Sequence, residues 1–334
     1  MKRIQFIDLL RIISTIAVVV IHVTDDFVLA PNHKGGIAWS IYTFINTLSR
    51  FAVPLFILLS GYLHNETSNG SDLKKNIRKY LPLLLWFPVY WLFFYLFQPW
   101  KQNNSAQQFL LSFFSVNYLH LYFLQIILGL HLYRSIIGYL ANKIYRISLI
   151  QLLCIQLVVW IFFQVSSILK VEVYYYNLFT VGLLYLPTYL MGYQLKRKKM
   201  GTRESWIVGV LSICFVFFCI LKSKLLISDI YAQSFINNLS PFVIGFGILL
   251  LNQLLSVKIR KVSLIDIIAP VCLIVYLIHP LILLFVNRVI HLELHLISSN
   301  LLFWYGVKLF LVVFLSYFIS YFISTVYYGL RKMK

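Results

Sequence analysis

Arg11 and His22 stand in the first long apolar segment of this 334-residue chain, eleven residues apart. Ionisable groups at bilayer depth are costly and mark functional pathways. An α-helix turns about 100° per residue, so this spacing brings both side chains within about 20° of one face. Asp8, Thr15 and Asp26 lie within about 40° of His22 on the same arithmetic. One polar stripe, Asp8–Arg11–Thr15–His22–Asp26, therefore runs along a helix whose back is Ile12, Ile13, Ile16, Ala17, Val20 and Ile21. That back suits lipid, and the stripe must face protein or water. An imidazole titrates near working pH and can act as a general base. A guanidinium can hold phosphate or a developing oxyanion.

Depth links these residues to others. At about 1.5 Å per residue, His22 lies about 20 Å above the inner start of its span and about 10 Å below the outer end. Arg50, on a second span running the other way, lies about 13 Å below the outer surface. His279, on a late span, comes about 20 Å up from the inside. Three embedded polar residues on three helices thus share the outer half, where buried ionisable groups converge on each other or on a cavity. Asp8 and Arg11 sit at the inner mouth, about 16 Å from His22. Plainer readings exist: Arg11 can pair with Asp8 at i−3, and Lys308 can snorkel outward on its long stem. His291 and His295 stand at i, i+4 but lack the His-Glu-x-x-His order of zinc proteases, so no metal is expected.

The elements that carry these residues are membrane helices. The chain is 60% hydrophobic and 12% charged, against about 25% charged residues in soluble domains. Apolar stretches long enough to span occur at 9–29, 41–63, 80–97, 117–133, 147–169, 173–195, 205–221, 234–256, 264–287 and 301–328. The expected architecture is an all-α polytopic membrane protein of about ten transmembrane helices, forming a single domain over 1–334. The first span reads as a retained helix, because Pro31 would follow the only plausible signal cleavage site and further spans follow. With the N-terminus inside, twenty Lys and Arg residues fall at inner ends and six (Lys34, Lys101, Lys170, Lys222, Lys224, Arg288) at outer ends. Such a bias orients the chain with both termini cytoplasmic. The formal charge of +19 is thereby a topology signal and gives no reason to expect a nucleic-acid partner. Four cysteines, Cys154, Cys214, Cys219 and Cys272, all lie in spans without metal-ligand or redox spacing. No internal repeat or matched pair of broken segments is visible.

Asp8-x-x-Arg11 followed by ten residues and His22 resembles the Arg-x10-His signature of the acyltransferase family 3 membrane O-acyltransferases. Ser49-Arg50-Phe51-Ala52-Val53-Pro54-Leu55-Phe56 and Ser60-Gly61-Tyr62-Leu63 are similar to that family's second-helix motif. His120-Leu121-Tyr122-Phe123-Leu124 resembles its His-Leu-Trp-Phe-Leu block, and Val275-Tyr276-Leu277-Ile278-His279-Pro280 its late Ile-Tyr-x-x-His segment. Tyr122 replaces the usual Trp, and Cys272 stands where a Ser often precedes the late segment. The match spans essentially the whole chain and looks closest to the short, single-domain branch that modifies bacterial surface polysaccharides.

The resemblance implies transfer of an acyl group, commonly acetyl from cytoplasmic acetyl-CoA, to a sugar hydroxyl of a cell-surface polysaccharide or its lipid-linked precursor. Within it, His22 would be the general base and Arg50 the oxyanion stabiliser. Arg11, oriented by Asp8, would meet the donor's phosphates. Tyr276, His279 and His120 are secondary candidates. Ser60 is another, although Ser60-Gly61 reads more readily as a close-packing device. No bound cofactor is expected, and the location implied is the bacterial cytoplasmic membrane. Two other readings stay open at this point: an exporter of a glycan, lipid-linked saccharide or small organic acid, and a non-catalytic partner in a polysaccharide synthase complex.

Overall fold

The computed structural model describes residues 5–28, 36–64, 85–97, 121–133, 148–169, 178–226, 237–257, 262–294 and 301–332. Among them every regular element is helical: α1 (Gln5–Val28), α2 (Ile37–Ser49), α3 (Ala52–Tyr62), α4 (Trp86–Phe97), α5 (Tyr122–Leu132), α6 (Leu149–Ile168), α7 (Leu178–Leu184), α8 (Leu186–Arg197), α9 (Thr202–Leu226), α10 (Pro241–Ser256), α11 (Ser263–Ile268), a 3-10 turn over Ala269–Val271, α12 (Cys272–Leu294) and α13 (Leu301–Lys332). Among the described residues five segments are long and apolar enough to cross a membrane: Gln5–Asp25, Ile37–Tyr62, Leu149–Ser166, Ser263–Val289 and Leu302–Val326. The expected spans at 80–97, 117–133, 173–195 and 234–256 begin outside the described residues.

Two compact units make up the chain, one of residues 1–56 and 200–334, the other of residues 57–199. In the first, α1 packs against α2, α11, α12 and α13. Sandwiched in this way, it is buried on more than its polar stripe: Leu10, Ser14, Thr15 and Val19 have no exposure, and Ala17 and Ile21 are also buried. Of the lipid-compatible back expected from the wheel, Ala17 and Ile21 are buried and Ile12, Ile13, Ile16 and Val20 half-buried, with Ile12 and Ile16 opening onto an apolar cleft of about 450 Å³ against α13. In the same unit α9 and α10 pair closely. They can do so because Gly209 lies against the side chain of Leu249, and Gly245 against that of Ser212. Small residues of this kind let membrane helices approach where no hydrophobic force drives them together.

Prolines punctuate the long apolar runs. The second expected span is two helices, with Arg50 and Phe51 at the break between α2 and α3. Pro54 explains the break: it has no N–H for the carbonyl four residues back, which belongs to Arg50. The backbone N–H of Arg50 instead closes a tight turn onto Thr47 O at 3.3 Å. Pro187 similarly opens α8 after a stop at Tyr185, splitting the span expected at 173–195. Pro270 sits in the 3-10 turn that leads into α12, and Pro280 inside α12 itself.

In the second unit, Gly182 of α7 meets the backbone of Gly129 on α5, and Gly61 meets the backbone of Tyr189 on α8. Gly192 of α8 in turn lies against the backbone of Leu58. A methyl group at any of these positions would collide with main chain, so Gly61 is a packing residue. His64 caps this contact: its Nδ1 lies 2.8 Å from Tyr189 Oη, and Lys196 Nζ donates to the His64 carbonyl at 2.7 Å.

Candidate functional site

Within the first unit, His22 projects from α1 and His279 from α12, with ring centroids 5.2 Å apart and planes tilted by 35°. The common depth inferred from residue counting corresponds here to side chains in contact. His279 is completely buried. Its Nδ1 lies 2.8 Å from the carbonyl oxygen of Tyr276 and 3.2 Å from that of Val275. Tyr276 is buried too, its ring centroid 6.0 Å from that of His279.

Arg50 is held from two helices. Its guanidinium forms an ion pair with Asp25, one turn beyond His22 on α1. Its Nε donates to Asn46 Oδ1 at 2.9 Å. Asn46 Nδ2 then donates to Asp25 Oδ1 at 2.9 Å and to Thr24 Oγ1 at 2.8 Å. The Thr24 hydroxyl donates to Val20 O at 2.7 Å, so the network ends on the α1 backbone. The Arg50 and Asp25 side chains are only 15% and 24% exposed. A charge pair in such surroundings has little water to lean on, so each hydrogen bond it keeps carries weight.

The Asp8–Arg11 end of α1 is built differently. Arg11 Nη1 donates to Asp8 Oδ1 at 3.0 Å, the i, i+3 pairing expected from spacing. Asp8 is buried, at 5% side-chain exposure, while Arg11 is 43% exposed. Between Arg11 and His22 on α1, Thr15 is fully buried and turns its hydroxyl back to the Arg11 carbonyl at 2.8 Å. Beside it, Tyr317 of α13 donates to Ile12 O at 3.5 Å, and Cys272 Sγ lies 3.9 Å from Tyr317 Oη and 3.7 Å from Ile268 O. Cys272 therefore ties into the helix packing around Thr15.

The remaining candidates fare variously. Ser60 belongs to the second unit and is half-buried on α3. His120 and His295 lie outside the described residues, as do the side chains of Asp26 and His291. Lys308 does not reach for the surface: it is 6% exposed, with Nζ 5.1 Å over the ring of Tyr305. Among the described residues no group of three or more His, Cys, Asp or Glu side chains could hold a metal ion.

Three members of the Arg50 network, Asp25, Asn46 and Thr24, were not singled out from the sequence. A signal existed: an embedded arginine calls for a carboxylate, and Asp25 and Asp26 both end the first span. The helical wheel favours Asp26 over Asp25, but the direction of α2 decides which one meets Arg50, and a single-helix projection holds no such information.

A family model described as an acyltransferase domain matches residues 4–328. Neither a curated protein nor a solved structure matches the chain. The matched stretch contains Asp8, Arg11, His22, Asp25, Arg50 and His279 together, and with all-helical membrane architecture around them the chain belongs to acyltransferase family 3.

Proposed function

We propose that this protein is a membrane O-acyltransferase that moves an acetyl group from cytoplasmic acetyl-CoA to a hydroxyl of a cell-surface polysaccharide or its lipid-linked precursor. The observation that carries the reading is the contact of His22 with His279 in a chain that matches the acyltransferase family from residue 4 to residue 328. Acyl transfer to a sugar needs a base for the hydroxyl, a positive group for the oxyanion, and a place for the donor. His22 serves as the base. Its neutral imidazole takes the hydroxyl proton as the oxygen attacks the thioester carbonyl. Arg50, locked by Asp25 and Asn46, offers a cation that needs no reorganisation when charge develops on the carbonyl oxygen. As the tetrahedral intermediate collapses, the C–S bond breaks and the proton held by His22 passes to the departing thiolate. Arg11 provides the cation at the inner mouth for the donor's phosphates, its angle set by Asp8. The Arg11–His22 separation of about 16 Å is comparable to a pantetheine arm.

In this reading about ten helices cross the bacterial cytoplasmic membrane with both termini inside, and the whole chain acts as one domain. A polysaccharide synthase complex is a natural partner, since it supplies the acceptor. The test is mass spectrometry of envelope glycans from cells with and without the gene, and with a His22→Ala variant. O-acetyl groups should disappear in both while polymer still reaches the surface. Loss of surface polymer in the variant would mark an exporter instead, and retained O-acetylation would remove His22 from catalysis.

A further inference from the structure

Pro280 and His279 are adjacent, and together they settle a question of protonation. In an uninterrupted helix the N–H of residue 280 would bond the carbonyl of Tyr276. Proline has no N–H, so that carbonyl loses its partner inside a buried helix. His279 Nδ1 stands 2.8 Å from this same oxygen, with the Val275 carbonyl at 3.2 Å. A carbonyl oxygen only accepts, so both contacts require hydrogen on Nδ1. In the neutral ring Nε2 then carries the lone pair. The ring so fixed is fully buried and lies 5.2 Å, centroid to centroid, from His22.

We propose that the proline-vacated carbonyl of Tyr276 locks His279 as its Nδ1–H tautomer, and that His279 acts through its Nε2 lone pair as the positioning residue for His22. Among the described residues Nε2 makes no hydrogen bond in the structure; when substrate draws the two rings together it accepts the hydrogen on one ring nitrogen of His22 and thereby leaves the other nitrogen of His22 as the base. The role is that of the orienting group in a catalytic triad, filled here by a second imidazole in place of a carboxylate. Hydrogen bonds of this kind tighten when substrate binds. The inference rests on the proposed function for its catalytic consequence, but its structural half does not.

Ring-nitrogen NMR on full-length protein with isotopically labelled histidine, in lipid nanodiscs, tests that half whatever the activity proves to be. Resonances are assigned from His22→Gln and His279→Gln variants. In the unaltered protein His279 should hold hydrogen on Nδ1 alone, and His22 should show one tautomer once acetyl-CoA is added. Pro280→Ala returns an N–H to the Tyr276 carbonyl and should give His279 mixed tautomers. His279→Phe should give mixed tautomers at His22. Turnover completes the test: with His279→Phe, kcat should fall about a hundredfold with the donor KM unchanged. His279→Gln, whose amide oxygen can accept the same hydrogen, should recover part of the loss. Hydrogen on Nε2 of His279, or a His22 tautomer indifferent to His279→Phe, would overturn the proposal. A fixed tautomer in a protein that transfers no acyl group would leave the lock standing and reject the enzyme reading.

Discussion

Two ion pairs on the first helix invite comparison, because they solve the same problem with opposite means. Asp8–Arg11 joins residues three apart on one helix, and its arginine is 43% exposed. Asp25–Arg50 joins different helices, with both side chains mostly buried and Asn46 bonded to each partner. The first pair needs only a helix to form; the second needs α1 and α2 correctly packed. A locally paired, open cation can swing to meet an incoming ligand. A cation bound from two helices cannot move, and so suits a site where charge appears only in a transition state.

The contrast can be broken at several points. Replacement of His22 by Ala should have the largest effect, lowering kcat by about 10³-fold or more without altering detergent-solubilised yield. Next comes the upper pair. Arg50→Lys keeps the charge but loses the fork that reaches Asp25 and Asn46 together, and should cost about 10²-fold in kcat. Asp25→Ala leaves the guanidinium buried without its carboxylate and should destabilise the protein by about 3 kcal/mol, seen as a lower midpoint of thermal unfolding. The paired replacement Asp25→Leu with Arg50→Met should return most of that stability while staying inactive. At the Asp8–Arg11 end, Arg11→Ala should raise the donor KM about tenfold with kcat nearly unchanged, the mark of lost ground-state binding. Asp8→Asn should be mildest, shifting stability by less than about 1 kcal/mol, because its partner is well exposed to solvent. If Arg11→Ala lowered kcat and Arg50→Lys raised KM, the roles assigned to the two ends would be reversed.

What could be read in the chain without its fold follows the same division. The Asp8–Arg11 pair and the helical character of the described apolar runs are local properties, set by spacing and composition. The approach of His279 to His22 was legible as a shared depth, because rise per residue is constant. Its direction was not, since depth says nothing about azimuth around a bundle. The break at Arg50 illustrates a signal present but unused: Pro54 four residues on already marks where the helix must stop. Lys308 shows the reverse. Its position near a helix end suggested an outward reach, yet the ring of Tyr305 on the preceding turn holds it inside at 5.1 Å.

The most direct test of the central claim is acetyl transfer by purified protein in proteoliposomes, with labelled acetyl-CoA added on the face that carries the N-terminus. A lipid-linked saccharide in the membrane serves as acceptor, and unaltered protein is compared with His22→Ala of equal thermal stability. Label should pass to the saccharide hydroxyl only with the imidazole in place. Equal transfer by the variant, or none by the unaltered protein with any hydroxyl acceptor, would contradict the account.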